Sequence, residues 1–184
     1  ILMKYLVKDI EVYKSINHIG ERSIIGQAYI DLPPRYDGEK YSDSLRQNST
    51  ITPGQNESTR FRLLNEGMDY LFHQETGYIS FNSPLNDNDI IAVAYKIEND
   101  SFGPSDDLIY GEFFTDLINN SDTIAVLKLV KPRLVQPNFS KAWKLKMKNR
   151  YKIESYLGRI SDLDLDIYLR KADGSEVNTI NNVR

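Results

Sequence analysis

The two histidines are the first side chains to test for catalytic chemistry, because imidazole is a frequent general base in enzymes. A serine-hydrolase triad would need His18 or His73 beside a serine and a carboxylate. The chain contains no Gly-x-Ser-x-Gly motif, which would be a local sign of such a nucleophile. We therefore interpret both histidines as ordinary surface residues.

Carboxylate pairs are the second candidate chemistry, since two of them can hydrolyse a glycosidic bond. Glu11, Glu66 and Glu112 are the candidates in this chain. Such a pair meets only in the folded protein, and the sequence gives no sign of a cleft around any of the three. We expect no catalytic residues and no enzyme activity, and an unrecognised hydrolase is the least favoured hypothesis.

Clustered acidic residues are candidate calcium ligands, because calcium prefers carboxylate and carbonyl oxygens. They occur at residues 87–89 and 106–107 and in the alternating Asp162, Asp164 and Asp166. The first cluster lacks the glycine and the distal glutamate of an EF-hand loop, and turn formation by Asp and Asn explains it more simply. The chain has no cysteine, which excludes thiolate zinc sites. We predict no metal site and no cofactor.

A row of large and basic side chains alternates almost strictly along residues 143–151. Because successive strand residues point to opposite faces, this alternation predicts a strand with one buried and one basic face. The buried residues would be Trp143, Leu145, Met147 and Tyr151, and the basic ones Lys144, Lys146, Lys148 and Arg150. The aromatic rings would then lie opposite the cations, so we predict no nucleic-acid binding. Laid antiparallel, the lysines would face the aspartates of 162–166, and we expect these strands to be neighbours.

The tyrosines are candidates for a sugar-stacking platform, since a ring face can pack on the apolar face of a sugar. The candidates are Tyr5, Tyr13, Tyr29, Tyr36, Tyr41, Tyr95, Tyr110 and Tyr168. Packing in the core and rim of a β-protein would consume most of them, and we favour that interpretation.

Short apolar runs separated by turn residues continue along the whole chain, which predicts an all-β fold with little helix. The runs lie at 5–13, 24–32, 68–72, 78–81, 90–97, 109–115, 123–130 and 163–169. We predict a single antiparallel β-sandwich, Ig-like or jelly-roll-like, over residues 1–184, with a long polar loop at 35–58. Hairpins are expected at Gly77 and at Asp173-Gly174. The runs 90–97 and 123–130 are apolar on both faces, which predicts central strands.

Length, composition and charge agree with a domain of this kind. The 184 residues are 40% hydrophobic and 27% charged, and the formal net charge of −3 is too small to indicate a nucleic-acid partner. Apolar runs stay well short of the ~18–20 residues that a membrane-spanning helix needs. The start at Ile1 has no charged or apolar leader pattern, so we expect a segment of a longer protein.

Seven segments resemble, in order, the sequence of SprA proteins. They are 61–70 (F-R-L-L-N-E-G-M-D-Y), 77–80 (G-Y-I-S), 90–95 (I-I-A-V-A-Y), 110–113 (Y-G-E-F), 127–132 (L-K-L-V-K-P), 143–151 (W-K-L-K-M-K-N-R-Y) and 165–168 (L-D-I-Y). The corresponding family patterns include F-R-L-L-x-E-G-x-D-Y and W-x-L-M-M-K-N-x-Y. Lys146 stands where the family has its second methionine.

The resemblance implies a place in a very large outer-membrane protein at the surface of gliding bacteria. SprA-like proteins serve gliding motility and type 9 protein secretion, and are built around a giant β-barrel with soluble inserted modules. The chain is then expected to be one non-catalytic structural and interaction module. Its partners would be other secretion or motility subunits, exported cargo proteins and the rest of the parent chain. A carbohydrate-binding or adhesion module is the alternative, by analogy of fold alone.

Overall fold

The computed structural model describes residues 6–98, 107–118, 123–147 and 168–177. Contacts divide the chain into two compact units, Ile1–Met147 and Lys148–Arg184. The strands of the first unit are β1 (Val7–Ile16), β2 (Ser23–Tyr29), β3 (Asn56–Leu63), β4 (Tyr70–His73), β5 (Tyr78–Phe81), β6 (Ile91–Ile97), β7 (Leu108–Tyr110) and β8 (Ala125–Lys131). Its helices are α1 (Asp43–Arg46), α2 (Phe114–Leu117) and α3 (Ser140–Leu145). The second unit contains the hairpin β9 (Leu169–Arg170) and β10 (Glu176–Val177).

Five strands close into a barrel in the order β1-β3-β2-β8-β6, and β6 pairs back with β1. The β2–β8 pairing is parallel and the other pairings of the ring are antiparallel. β7 pairs with β6 as an additional strand. The all-β prediction is confirmed, but the antiparallel sandwich is not, because the sheet is mixed and closed. The long β1 makes closure possible, since Tyr13 pairs with both Leu63 and Ala92.

The barrel interior holds the main apolar core. Tyr13, Phe61, Ile90 and Leu127 are completely buried within it. A second cluster lies on the outer side, where the β4–β5 hairpin packs against residues such as Val93. Side chains on both faces of β6 and β8 are buried, which confirms the prediction that these are central strands.

Two predicted turns are confirmed by their backbone geometry. β4 and β5 pair from Tyr70↔Phe81 to His73↔Tyr78, and Gly77 has a φ of 69° in the connection. β9 and β10 pair around Gly174, which has a φ of 84°. Glycine adopts these positive φ values without the steric cost that a Cβ brings.

The run 109–115 is a strand only at its beginning. β7 ends at Tyr110, Gly111 turns the chain with a φ of 82°, and the short helix α2 follows. The same turn places Glu112 at the rim of the barrel, where it enters the site described below.

The predicted strand at 143–151 is wrong where the structure describes it. Trp143 and Leu145 lie in α3, and residues 148–151 lie outside the described ranges. The chain is helical here because Ala142 is 2% exposed against the barrel and the Phe139 ring packs on Gly54. Anchors three positions apart suit one face of a helix. Leu145, at the end of α3, is 49% exposed, so it is not part of a buried strand face.

The expected lysine–aspartate strand pair is not formed by the described part of the row. Lys144 belongs to α3, and Lys146 directly follows it with its ammonium 5.0 Å from the Trp143 ring centroid. Residues 162–166 and Lys148 lie outside the described ranges.

The predicted polar loop 35–58 contains regular structure. It holds α1 and the first residues of β3. Residues 36–48, which we call the strap, cross the outside of the barrel and carry Tyr41, which is 7% exposed beside Leu32 and Val126. Among the described residues, no helix has the length and hydropathy needed to span a membrane.

Candidate functional site

A groove of about 1180 Å³ lies in the first unit between β1, the strap and the segment from β7 to α2. Its walls carry eight carboxylates and four cations. The cations are Arg35, Lys40, Arg46 and Lys96. Glu11, Glu66 and Glu112 all line this groove, so the structure brings the three predicted glutamates to one place. No local pattern in the sequence indicates this cleft, because its walls come from distant segments.

The Arg46–Glu112 ion pair is the most buried charged contact of the groove. Arg46 Nη1 donates to Glu112 Oε2 at 2.8 Å and Nη2 donates to Oε1 at 2.5 Å. The two side chains are 13% and 8% exposed. Arg46 also donates to the Ile124 carbonyl, and Glu112 accepts the Val126 amide. The hydrogen bond to Glu112 is the main cause that raises the pKa of Arg46. Charge-assisted, bidentate bonding of this kind fixes geometry strongly.

Glu11 is held by a second set of hydrogen bonds inside the groove. Its Oε2 accepts the Tyr13 hydroxyl at 2.6 Å and the Phe114 amide at 2.7 Å. Tyr13 is completely buried, and burial is the main cause that raises the pKa of its hydroxyl. Glu11 therefore fixes the start of α2 against β1. Glu66, in contrast, is exposed at the groove edge.

Glu11 and Glu112 thus make hydrogen bonds that stabilise the fold. Three of the four cations also make hydrogen bonds or ion pairs, and Arg46 has been described above. Lys96 pairs with the buried Asp107 at 2.7 Å, and Arg35 donates to the Glu39 carbonyl at 2.8 Å. The groove wall is consequently a fixed surface with more carboxylates than cations. Its bonding positions the strap and α2 against the barrel.

The histidines are placed apart from the groove. His18 is exposed after β1. His73 lies in the β4–β5 hairpin, where its Nε2 is 2.7 Å from the Ser80 hydroxyl and its ring stacks on Tyr78 at 4.0 Å. These partners are cross-strand neighbours on one hairpin, and the contacts described for His73 include no carboxylate. The arrangement is that of a packed surface histidine.

The acidic loop 87–89 is organised around two lysines. Asp89 pairs with Lys14 at 2.8 Å and accepts the Asn86 amide. Lys131 Nζ donates to the carbonyls of Asn86, Asp87 and Asp89 at 3.1, 3.0 and 2.6 Å. Ammonium groups therefore occupy the oxygens that a cation would need. Among the described residues, no group of three or more metal-ligating side chains comes together.

Lys131→Met is expected to lower the free energy of unfolding by about 1–3 kcal/mol, because three carbonyls lose a charged donor. Chemical denaturation would measure the loss. Lys8→Met is the matched control: Lys8 pairs with Glu98, and the side chains are 51% and 62% exposed. Exposed pairs contribute about 0–1 kcal/mol. Equal losses in the two variants would contradict the structural role of Lys131.

Most of the candidate tyrosines that the structure describes are buried or packed against other side chains. Tyr13 and Tyr41 are buried, and Tyr95 stacks on Tyr110 with ring centroids 4.7 Å apart. Within the described residues of the first unit, Tyr36 is the tyrosine that exposes half of its surface. One exposed ring does not make the row of rings that a sugar platform needs.

Buried tyrosines make the fold sensitive to alkaline pH. Burial is the main cause that raises the pKa of Tyr70 from 10.0 to about 12, and it also raises the pKa of Tyr95. Above pH 10 the unfolded chain loses protons that the folded chain keeps, so stability falls as the pH rises from 10 through 12. Urea unfolding across this range should show the decline. Tyr70→Phe should make the decline shallower, because it removes one of the hydroxyls whose pKa is raised.

Comparison with known proteins adds no assignment. No protein-family profile matches the chain, and no curated protein is significantly similar to it.

Proposed function

We propose that this chain is a non-catalytic structural and interaction module of a SprA-like cell-surface protein that serves gliding motility and type 9 secretion. One observation carries the proposal. The segments that resemble SprA, from residue 61 to residue 132, follow the wall of the barrel and its closing turns in chain order. They form the end of β3, the β4–β5 hairpin, β6, the β7 turn and β8.

Individual residues in these segments stabilise the fold by packing, turn formation and ion pairing. Phe61 lies in the core, and Tyr110 stacks on Tyr95. Gly111 makes the turn after β7, and Glu112 binds Arg46 of the strap. If this chain and SprA proteins share the fold of one module, the residues that resemble each other should be those that stabilise that fold.

The proposed partners are the rest of the parent chain, other secretion or motility subunits and exported cargo, with the parent in the outer membrane at the cell surface. Nucleic acid is not among them. The carbohydrate-binding alternative gains no support from the described residues, which contain one exposed tyrosine in each unit, Tyr36 and Tyr168, and we do not propose it.

The test is a set of variants of the parent protein in its host, with protein export and surface movement as readouts. Deletion of residues 1–184 should reduce both. Gly111→Ala should reduce them by destabilising the module. Gly38→Ala should reduce them less, since a Cβ at Gly38 meets open space and adds only the strain of its positive φ.

Other outcomes would overturn the proposal. Normal export and movement after the deletion would contradict it. Normal export with lost polysaccharide attachment would favour the carbohydrate-binding module. Loss of function in Glu66→Gln with an unchanged fold would favour a hydrolase, because Glu66 makes no structural bond described above.

A further inference from the structure

The strap covers the outer face of the parallel β2–β8 pair. Val126 and Gln27 face outward on these strands, and they are 0% and 6% exposed. The strap contributes Tyr41 and Leu45, which pack with Val126. An outer strand face that would otherwise meet water is thereby buried.

The barrel itself uses no strap residue. The residues of the barrel core come from the strands, from α2 and α3 and from Ile30 and Ile90. None of the strand pairings of the closed ring includes a residue between 36 and 48. Strap and barrel are therefore joined only across the outer face and the rim.

Polar contacts also attach the strap, beginning with the Tyr41 hydroxyl, which accepts the Gly111 amide at 3.1 Å. α1 contains no buried residue. Arg46 binds Glu112 and the Ile124 carbonyl, Tyr29 donates to the Leu45 carbonyl at 2.7 Å, and Gln27 Nε2 donates to the Asn48 carbonyl at 2.9 Å. The ion pair between Arg46 and Glu112 is the charged contact among them.

One buried group opposes closure of the strap. The side-chain oxygen of Gln27 is buried and has no hydrogen-bond partner among the described residues. A buried acceptor without a donor costs free energy, and opening of the strap would let water satisfy it. The closed position is thus favoured by the Arg46–Glu112 ion pair, the hydrogen bonds above and the packing of Tyr41 and Leu45, and it is disfavoured by one unpaired acceptor.

We propose that the strap is a separately opening cover of the β2–β8 face, held closed by the Arg46–Glu112 pair, and that it opens while the barrel stays folded. Segments with few buried apolar contacts open below the free energy of global unfolding. Opening uncovers Gln27, Tyr29 and Val126, which form a mixed polar and apolar surface. This inference is independent of the proposed function.

Native-state hydrogen exchange on the full chain tests the proposal. The Leu45 and Gln47 amides report the strap, since they donate to Ser42 and Asp43. The Leu64 amide, which donates to the Val12 carbonyl, reports the barrel. In the unmodified protein, the strap amides should exchange faster and with little dependence on denaturant, and the barrel amide should follow global unfolding.

Variants make the test specific. Arg46→Met should accelerate exchange of the strap amides at least about tenfold, because a charged hydrogen bond is lost. The barrel amide should accelerate by no more than the same factor, because global unfolding also breaks the pair, and the strap amides should still exchange well before it. Tyr29→Phe should give a smaller acceleration of the strap amides, because it removes the single neutral hydrogen bond to the Leu45 carbonyl. Lys40→Met is the control, since Lys40 is an exposed strap cation outside the pair, and it should change nothing.

The proposal would be overturned by exchange of strap and barrel amides with one common free energy. Failure of Arg46→Met to fold would overturn it as well, because the strap would then belong to the cooperative core. Unchanged exchange rates of the strap amides in Arg46→Met would show that the ion pair does not hold the strap closed.

Discussion

Replacing Gly111 with alanine is expected to lower the free energy of unfolding by about 2–5 kcal/mol. Two effects add at this position. Gly111 has a φ of 82°, and a residue with a Cβ is strained there by about 1–2 kcal/mol. The added methyl would also lie 2.8 Å from the Val93 carbonyl oxygen and 3.0 Å from the Ala94 Cα. Overpacking against fixed backbone adds about 1–3 kcal/mol.

Gly38→Ala is the matched control for this prediction. Gly38 has a φ of 81°, nearly the same as Gly111, but its Cβ would meet nothing within 4 Å. The control should therefore show the conformational strain alone, about 1–2 kcal/mol. Urea unfolding of both variants, with the slope m checked for two-state behaviour, gives the steric part as the difference. Similar losses in the two variants would refute the close packing of β6 against the turn after β7.

Phe61→Ala is expected to cost about 3–5 kcal/mol, because the ring is completely buried in the barrel core. The neighbouring Ile25 on β2 is 48% exposed, so Ile25→Ala should cost about 1 kcal/mol or less. A small effect at Phe61 together with a large one at Ile25 would mean that β2 and β3 present their opposite faces to the core.

The same ring explains the glycine in the middle of β2. A Cβ at Gly26 would lie 3.1 Å from the Phe61 ring and 3.4 Å from Leu127. Gly26→Ala should therefore cost about 1–3 kcal/mol in the unmodified protein and less in a Phe61→Leu background. A double-mutant cycle measures this coupling, expected at about 0.5 kcal/mol or more. Additive effects would show that the two side chains do not share one space.

The correction at Trp143 changes which residues support the resemblance to SprA. The alternation in 143–151 predicts a strand, but residues 143–145 form the end of α3, and Lys146 follows with an extended backbone. Alternation of large and basic residues is also compatible with a short helix when two anchors, here Phe139 and Ala142, hold one side. The resemblance depends accordingly on residues 61–132, where the matched segments and the observed strands and turns coincide.

The sequence does not indicate the groove residues whose hydrogen-bond partners lie far away along the chain. Arg46 lies in a polar stretch without a motif, and its partner Glu112 is 66 positions away. Glu112 was considered only as a possible catalytic acid, and the structure shows it as the anchor of the strap. The glycine of the Y-G-E-F segment was the one local signal for a turn at this rim.

The sequence alone determined the all-β class, the central strands and the two hairpin turns, because apolar periodicity and turn residues act over a few neighbouring positions. Only the tertiary structure decided that the strands close into a mixed barrel, that β2 and β8 run parallel, and that distant charges meet in one groove. Alternation fixes which face of a strand is apolar, but it does not specify the partner strand. Packing of the whole core determines which strands pair, so the pairing cannot be deduced from any single segment.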